Sequence, residues 1–368
     1  MARQNEDTRH SKYVIRIICE GEKTEPLFFT FLCDRLIDGI YNIGDCDIQT
    51  IPQPDVPQED PVPINRGSYK GKKRQIKEGK TKPKVVIEGI PPLKWVRFAR
   101  KKLSEGVDEA WAVFDKDEHP AHKEAFEEAE KIVDGKIVNI AYSSRSFEYY
   151  LLLHFEYLYY AFQTTECGER IDGKKVPYCC KTEHASEKAC EGEKCINGYA
   201  RMMGYWEETK TSESTFLLVE NRLRAGIINA HQLRAESSIL EVSPIYERNP
   251  YTNADRLVCR LINTEVIDAG TECLFNDAGD KLHIRVCKQV IIICNKSNRK
   301  VILPDGFIKK YNWETNQIED LSNRQILEPQ EAVFHILNFN NSEVALIERT
   351  VTRPEFLFMP NYNGKLRI

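Results

Sequence analysis

Three carboxylates stand where a sheet protein could hold a metal ion. Glu20 lies in the run Cys19-Glu20-Gly21-Glu22-Lys23-Thr24-Glu25, just past one apolar stretch. Asp115 and Asp117 lie in Val113-Phe114-Asp115-Lys116-Asp117, just past another. In an extended segment, side chains two residues apart point the same way. In open α/β sheets, ligands collect outside the carboxyl ends of the strands. Three carboxylates converging there repel one another without a cation, and their hard oxygen atoms suit Mg²⁺ or Mn²⁺. Such an ion polarises a phosphodiester and activates water, the chemistry of phosphodiester hydrolysis. A lone Asp-x-Asp after a strand is more often a solvated turn. The pairing of two acidic turns, each at a strand end, shifts the reading toward a metal centre.

The positioning elements follow from the pattern of apolar residues. Residues 12–19 are β-branched and apolar and predict a buried strand, then a polar turn, then a helix from about Glu25 to near Gly44. Asp47–Ile51 reads as a short strand, Val85–Ile87 as another, and Pro92–Glu105 as a helix with Trp95, Val96, Phe98, Ala99 and Leu103 inward. Ala110–Phe114 is a strand ending at Asp115, His122–Val133 a helix and Ile137–Tyr142 a strand. Ser143–Phe162 reads as a turn and a long aromatic helix, and residues 213–235 return to helix. Asn249-Pro250-Tyr251-Thr252 is expected to cap a last helix reaching about Asn263. Alternating strands and helices imply an α/β sheet with helices on its faces. From Glu265 short β-prone runs separated by turn residues predict an all-β sandwich or barrel.

Bulk properties bound the function. The 368 residues suggest two or three domains, and 41% hydrophobic residues suffice for real cores. A formal net charge of −4 offers nucleic acid no global attraction, so any such contact needs a local basic patch. No apolar run approaches a membrane span, and the polar start predicts a cytoplasmic protein. The twelve cysteines are then expected as thiols or metal ligands rather than disulfides.

Other candidates carry two readings each. Ser146 is placed to cap a helix, so Glu148 in its first turn either complements the helix dipole or reaches the metal site. His154 is either a hydrogen-bonded core residue or catalytic. Arg145 either holds a phosphate or forms a structural ion pair. Between Asn65 and Lys84 nine basic residues face a single acid, Glu78. That run, with Lys70, Lys72, Lys73 and Arg74, is either a solvated loop or a track for a phosphate backbone. Cys167, Cys180, Cys190 and Cys195, with Cys179 and His184 as substitutes, either hold a structural Zn²⁺ or are reduced thiols on a loop.

Four ordered motifs carry a resemblance. They are Glu20-Gly21-Glu22-Lys23-Thr24-Glu25-Pro26, Phe114-Asp115-Lys116-Asp117-Glu118-His119, Ser146-Phe147-Glu148 with Leu151-Leu152-Leu153-His154-Phe155, and Asn249-Pro250-Tyr251-Thr252. Together they resemble the RloB family, also called AbiLii-like, and more broadly the TOPRIM domain of topoisomerases, primases and OLD-type nucleases. The resemblance spans about residues 12–263. It implies a TOPRIM-like, Rossmann-type sheet flanked by helices in residues 1–44 and 85–163. A basic insertion (45–84), a Cys-rich insertion (164–212), a helical completion (213–264) and a β-rich accessory domain (265–368) complete the expected plan. It further implies a metal-dependent endonuclease of anti-phage defence, commonly beside an AAA-type ATPase. By carry-over Glu20, Asp115 and Asp117 hold Mg²⁺ or Mn²⁺. OLD-type sites place a second glutamate four residues after the first. Here that position is Thr24, and Glu25 is one residue later. The rival expectation is a non-catalytic nucleic-acid-binding or sensor subunit of an ATPase-containing complex. No Walker A run is present, so ATP dependence would come from a partner.

Overall fold

Two runs of apolar residues flanked by charged turns form the centre of the first sheet. β1 (Tyr13–Cys19) and β3 (Glu109–Asp115) are buried on both faces, as central strands of parallel sheets are. The computed structural model describes residues 12–37, 46–52, 91–116, 120–166, 170–171, 174–175, 195–206, 213–268, 270–277, 280–287, 289–347 and 354–359. Between and after those strands come α1 (Thr24–Ile37), β2 (Cys46–Pro52), α2 (Leu93–Ser104), α3 (His122–Ala129), β4 (Asn139–Ser144) and α4 (Phe147–Leu152). A short hairpin of β5 (Arg170–Ile171) and β6 (Lys174–Lys175) precedes α5 (Ile196–Met202), α6 (Glu213–Val219) and α7 (Leu223–Leu240). The strand β7 (Tyr251–Thr252) and α8 (Ala254–Ile262) complete this part.

The sheet order is β2-β1-β3-β4-β7, parallel except for β7. Strand alternation sends Ile15, Ile17, Trp111 and Val113 to one face, where Phe28, Phe29 and Leu32 of α1 pack. Ile18, Ala110, Ala112 and Phe114 go to the other face, against Trp95, Val96 and Ala99 of α2 and Ala125 of α3. The chain therefore leaves β1 toward one face and β3 toward the opposite one. That divergence opens a crevice at the carboxyl ends of these two neighbours.

The carboxyl-terminal part is a β-sandwich. Its strands are β8 (Thr264–Asp268), β9 (Glu272–Asp277), β10 (Asp280–Cys287), β11 (Val290–Asn295), β12 (Val301–Leu303), β13 (Ile308–Asn312), β14 (Gln317–Asp320), β15 (Gln325–Leu327), β16 (Ala332–Ile336), β17 (Glu343–Ile347) and β18 (Glu355–Met359). One sheet runs β16-β11-β10-β9 and another β14-β13-β17-β18-β8, with β12 and β15 paired separately. Leu282, Ile284, Ile291 and Ile293 of the first meet Ala345, Ile347, Phe356 and Phe358 of the second. The alternate residues of the second sheet, Val344, Leu346, Leu357 and Met359, belong to the α/β core. Arg224 of α7 adds an ion pair to Glu355 at 2.8 Å.

Several elements depart from expectation. The long aromatic helix after Ser143 is only the six residues of α4. Aromatic residues are modest helix formers, and here their hydroxyls find partners that a straight helix would not reach. Tyr157 and Tyr159 donate to Glu236 and Glu241 at the end of α7, and Tyr149 donates to the Leu158 carbonyl. The helix expected to reach Val133 ends at Ala129, because Asp134 and Gly135 adopt positive φ and turn the chain so that Val133 pairs with Lys136. Tyr251 and Thr252 form strand β7 against β4 rather than a cap, and the last helix starts at Ala254. The strand expected at Val85–Ile87 lies outside the described residues. Among the described residues, no helix is long and apolar enough to cross a membrane.

Leu357 is fully buried where the sandwich meets the helices. Leu357→Ala is expected to cost about 2–5 kcal/mol in urea unfolding. A loss under about 1 kcal/mol would mean that the sheet does not pack there.

Candidate functional site

Four carboxylates meet at the crevice between β1 and β3. Glu20 follows β1 directly, and its amide donates to the Val113 carbonyl at 2.9 Å, extending the pairing of β1 with β3 into the turn. Its carboxylate accepts the Asp115 amide and the Trp95 indole N–H, each at 3.3 Å. The indole comes from α2, so Glu20 is held from the layer opposite α1.

Glu25 arrives from the first turn of α1 and is buried. Its carboxylate folds back over Gly21, where a Cβ would collide with the Glu25 carboxylate oxygens. A side chain at position 21 would therefore displace the Glu25 carboxylate from its present position. Asp115, at the end of β3, hydrogen-bonds the Glu25 side chain and accepts the Phe147 amide at the start of α4. That bond caps α4 from outside, since Ser146 in the N-cap position makes no side-chain cap bond. Glu148, also buried, accepts the Thr24 hydroxyl at 3.5 Å. His122 donates from Nε2 to the Asp115 carbonyl at 2.9 Å and holds the strand end from α3.

The electrostatics follow from this crowding. Burial, then the charges of Glu148 and Glu20, push Glu25 up from 4.5 to about 7. Burial, then Glu25, Glu148 and Glu20, push Asp115 well above the usual carboxylate range. A proton shared between Glu25 and Asp115 relieves the repulsion. The same donor set, all oxygen and all anionic, fits a hard divalent cation that would replace the proton. Among the described residues, no group of three or more His, Cys, Asp or Glu side chains is placed as it stands to hold a metal ion. Asp117, the third expected ligand, lies outside the described residues.

The structure thus joins Glu20, Asp115, Glu25 and Glu148, and sets other candidates apart. His154 sits in the aromatic core, with Nδ1 donating to the Tyr150 carbonyl at 2.9 Å and its ring against Phe28 and Tyr150. A Cβ on Gly226 of α7 would collide with that imidazole. Burial pushes His154 down to about 4, and none of the four carboxylates touches it. It is a neutral packing residue, not a member of the cluster. Arg145 donates to the backbone carbonyls of Gln163 and Lys116, and among the described residues it pairs with no carboxylate. Cys195 caps α5, its sulfur accepting the Gly198 amide at 3.3 Å. The other proposed zinc ligands, Cys167, Cys180, Cys190, Cys179 and His184, lie outside the described residues, as do Lys70, Lys72, Lys73 and Arg74. Sequence reasoning missed the roles of Gly21, Thr24 and Trp95. The adjacency of Gly21 to Glu20 was the one local signal.

Comparison with protein-family models matches residues 15–261, about two thirds of the chain, to the RloB-like protein family. No curated protein and no solved structure matches the chain.

The shared proton predicts a pH response. A carboxyl whose folded pKa is raised binds its proton more tightly when folded. Its contribution to stability is full below the unfolded value of 4.5 and is lost as pH rises through about 7. Metal-free protein is therefore expected to lose on the order of 1–3 kcal/mol between about pH 5 and pH 8, and Glu25→Gln to flatten that slope. Urea titrations at several pH values decide it. A wild-type stability that is flat or rising over this window would contradict the shared proton.

Proposed function

This chain belongs to the RloB-like family, and on that premise we propose that it is a metal-dependent nuclease hydrolysing phosphodiester bonds of DNA or RNA, tRNA included. One observation carries the reading: Glu20 and Asp115 end adjacent parallel strands whose connections leave toward opposite faces, and Glu25 and Glu148 close on the same crevice. The order β2-β1-β3-β4 with helices on both faces supports a TOPRIM-type, Rossmann-like core of the kind found in OLD-type nucleases.

Glu20 and Asp115, with Asp117, would hold Mg²⁺ or Mn²⁺, and Glu25 and Glu148 stand next to them. A bound cation supplies Lewis-acid polarisation of the phosphodiester and a more acidic water. The chain's own residues supply orientation. Trp95 and the Asp115 amide fix the Glu20 carboxylate, Thr24 fixes Glu148, and Gly21 leaves room for Glu25. Glu25, once a bound cation has displaced its own proton, would be placed to accept a proton released at the centre. Water adds across one P–O bond, so that one product keeps the phosphate and the other ends in a hydroxyl. An AAA-type ATPase partner and a role in phage defence belong to the same reading.

The rival is a non-catalytic nucleic-acid-binding or sensor subunit. The hydrogen bond between Glu25 and Asp115 favours it, because it closes the cluster on itself. Purified protein with Mg²⁺ or Mn²⁺ and labelled DNA, RNA and tRNA separates the two. Cleavage is expected, with Glu20→Gln and Asp115→Asn each slowing it by about a hundredfold or more, the scale of losing one preorganised electrostatic contact. Cleavage unchanged in both variants would overturn the proposed site. Calorimetric Mn²⁺ binding without cleavage would select the rival.

A further inference from the structure

A cleft of about 1180 Å³ opens between α7, α8, β8 and the segment leading into β7. None of the four clustered carboxylates lines it. β7 pairs only with Ser143 and Ser144, so the cleft reaches past it to Asn139 at the start of β4.

Its charges are sorted. Arg234 pairs with Asp255, Arg260 with Glu109 at 2.9 Å, and His231 with Asp268 at 2.8 Å. Arg248, Arg256 and Glu265 also line it, and the charges of Arg248 and Arg256 stand together near Tyr251. Among the described residues no carboxylate pairs with Arg248 or Arg256. Arg256 is exposed on α8. Arg248 gives its Nε to the Ser243 carbonyl at 2.9 Å and lies over the Tyr251 ring, 5.9 Å from its centre. The charges of Arg234, Arg256 and Arg248 all bear on the Tyr251 hydroxyl, opposing the rise that burial imposes on it.

Arg248 is tied to the strand end that carries Asp115. Lys116, the residue after Asp115, donates to the carbonyls of Glu247 and Arg248. The charge of Arg145 stands beside Lys116, as do those of Glu241 and Glu247. Arg145, Lys116 and Arg248 follow one another from the end of β3 to the cleft, with Glu241 and Glu247 flanking Lys116, and Arg256 stands with Arg248 near Tyr251. In a chain of net charge −4 this is a local feature. Cations spaced along a track suit a run of phosphates, whereas a single phosphate calls for cations converging on one point.

We infer that this row of cations binds the phosphodiester backbone of a nucleic acid, Arg248 and Arg256 contacting phosphates. The inference rests on the nuclease reading only for the direction in which the strand is led, toward Glu20 and Asp115.

The test uses the full chain in EDTA, where no metal-dependent cleavage intervenes, with fluorescein-labelled DNA and RNA oligonucleotides read by anisotropy across a salt series. Arg256→Glu, at an exposed position, is expected to weaken binding about tenfold and to make the salt slope shallower by roughly one. Arg248→Ala with Arg256→Glu is expected to weaken it further, with a slope shallower by roughly two. Circular dichroism checks that the double variant folds; if it does not, Arg256→Glu alone decides. Unchanged affinity and slope in Arg256→Glu, or no oligonucleotide binding by wild type, would overturn the inference. So would equal competition by inorganic phosphate at the same phosphate concentration, which indicates a single-phosphate site. Binding that depends on Arg256 in a protein that never cleaves would sink the nuclease reading and leave this one standing.

Discussion

Like charges gathered in a buried pocket cannot all be ionised without a counter-charge, and much of this molecule is arranged around that conflict. Glu20 comes from the turn after β1, Glu25 from the first turn of α1, Asp115 from the end of β3, and Glu148 from α4. Three of them are held by a polar group from a neighbour: Glu20 by the Trp95 indole, Asp115 by the Phe147 amide, Glu148 by the Thr24 hydroxyl. A fold seeking stability alone would replace such a cluster with apolar side chains. Keeping four acids there, with Glu25 and Asp115 sharing a proton, is the local cost that makes a cation the natural occupant under the proposed function.

The strand ends were legible because short β-branched runs followed by acidic turns carry their own period. β1, β2, β3 and the helix α2 fall close to where the residue pattern places them. Glu25 was visible only as an off-register neighbour of the OLD spacing. The first turn of α1 brings it in, and the missing side chain of Gly21 leaves its carboxylate room, a steric fact that spacing does not encode. Glu148 stood between a dipole role and a site role, and the crossing of α4 over the β3 end decides for the crevice. The aromatic stretch after Leu152 misled because its apolar period suits a helix, while its tyrosine hydroxyls are satisfied on α7 in an irregular path. Arg248 and Arg256 were invisible for another reason. One lies in a loop and one on a helix, and only the topology sets both beside Tyr251.

The β-sandwich is more than an appendage to this centre. Its second sheet gives one face to its own core and the other to the helices of the α/β part, a division set by the alternation in β17 and β18. α7 is the helix that links the two. It pairs with β18 through Arg224, with α8 through Arg234 and Asp255, and with the end of α4 through Gly226 against His154. The walls of the arginine cleft are therefore the same elements that seat α4.

His154 shows how that seat is kept from responding to pH. Burial takes its pKa to about 4, and Nδ1 spends its proton on the Tyr150 carbonyl. Above about pH 5 the imidazole is neutral and serves as a flat ring wedged between Phe28 and α7. The position of Glu148 then does not vary with the charge of the histidine six residues away. What is raised in the crevice itself is the carboxylate cluster, through burial and the mutual repulsion of Glu25, Asp115 and their neighbours. A charged occupant under the proposed function would act on those groups directly and not through the packed ring behind them.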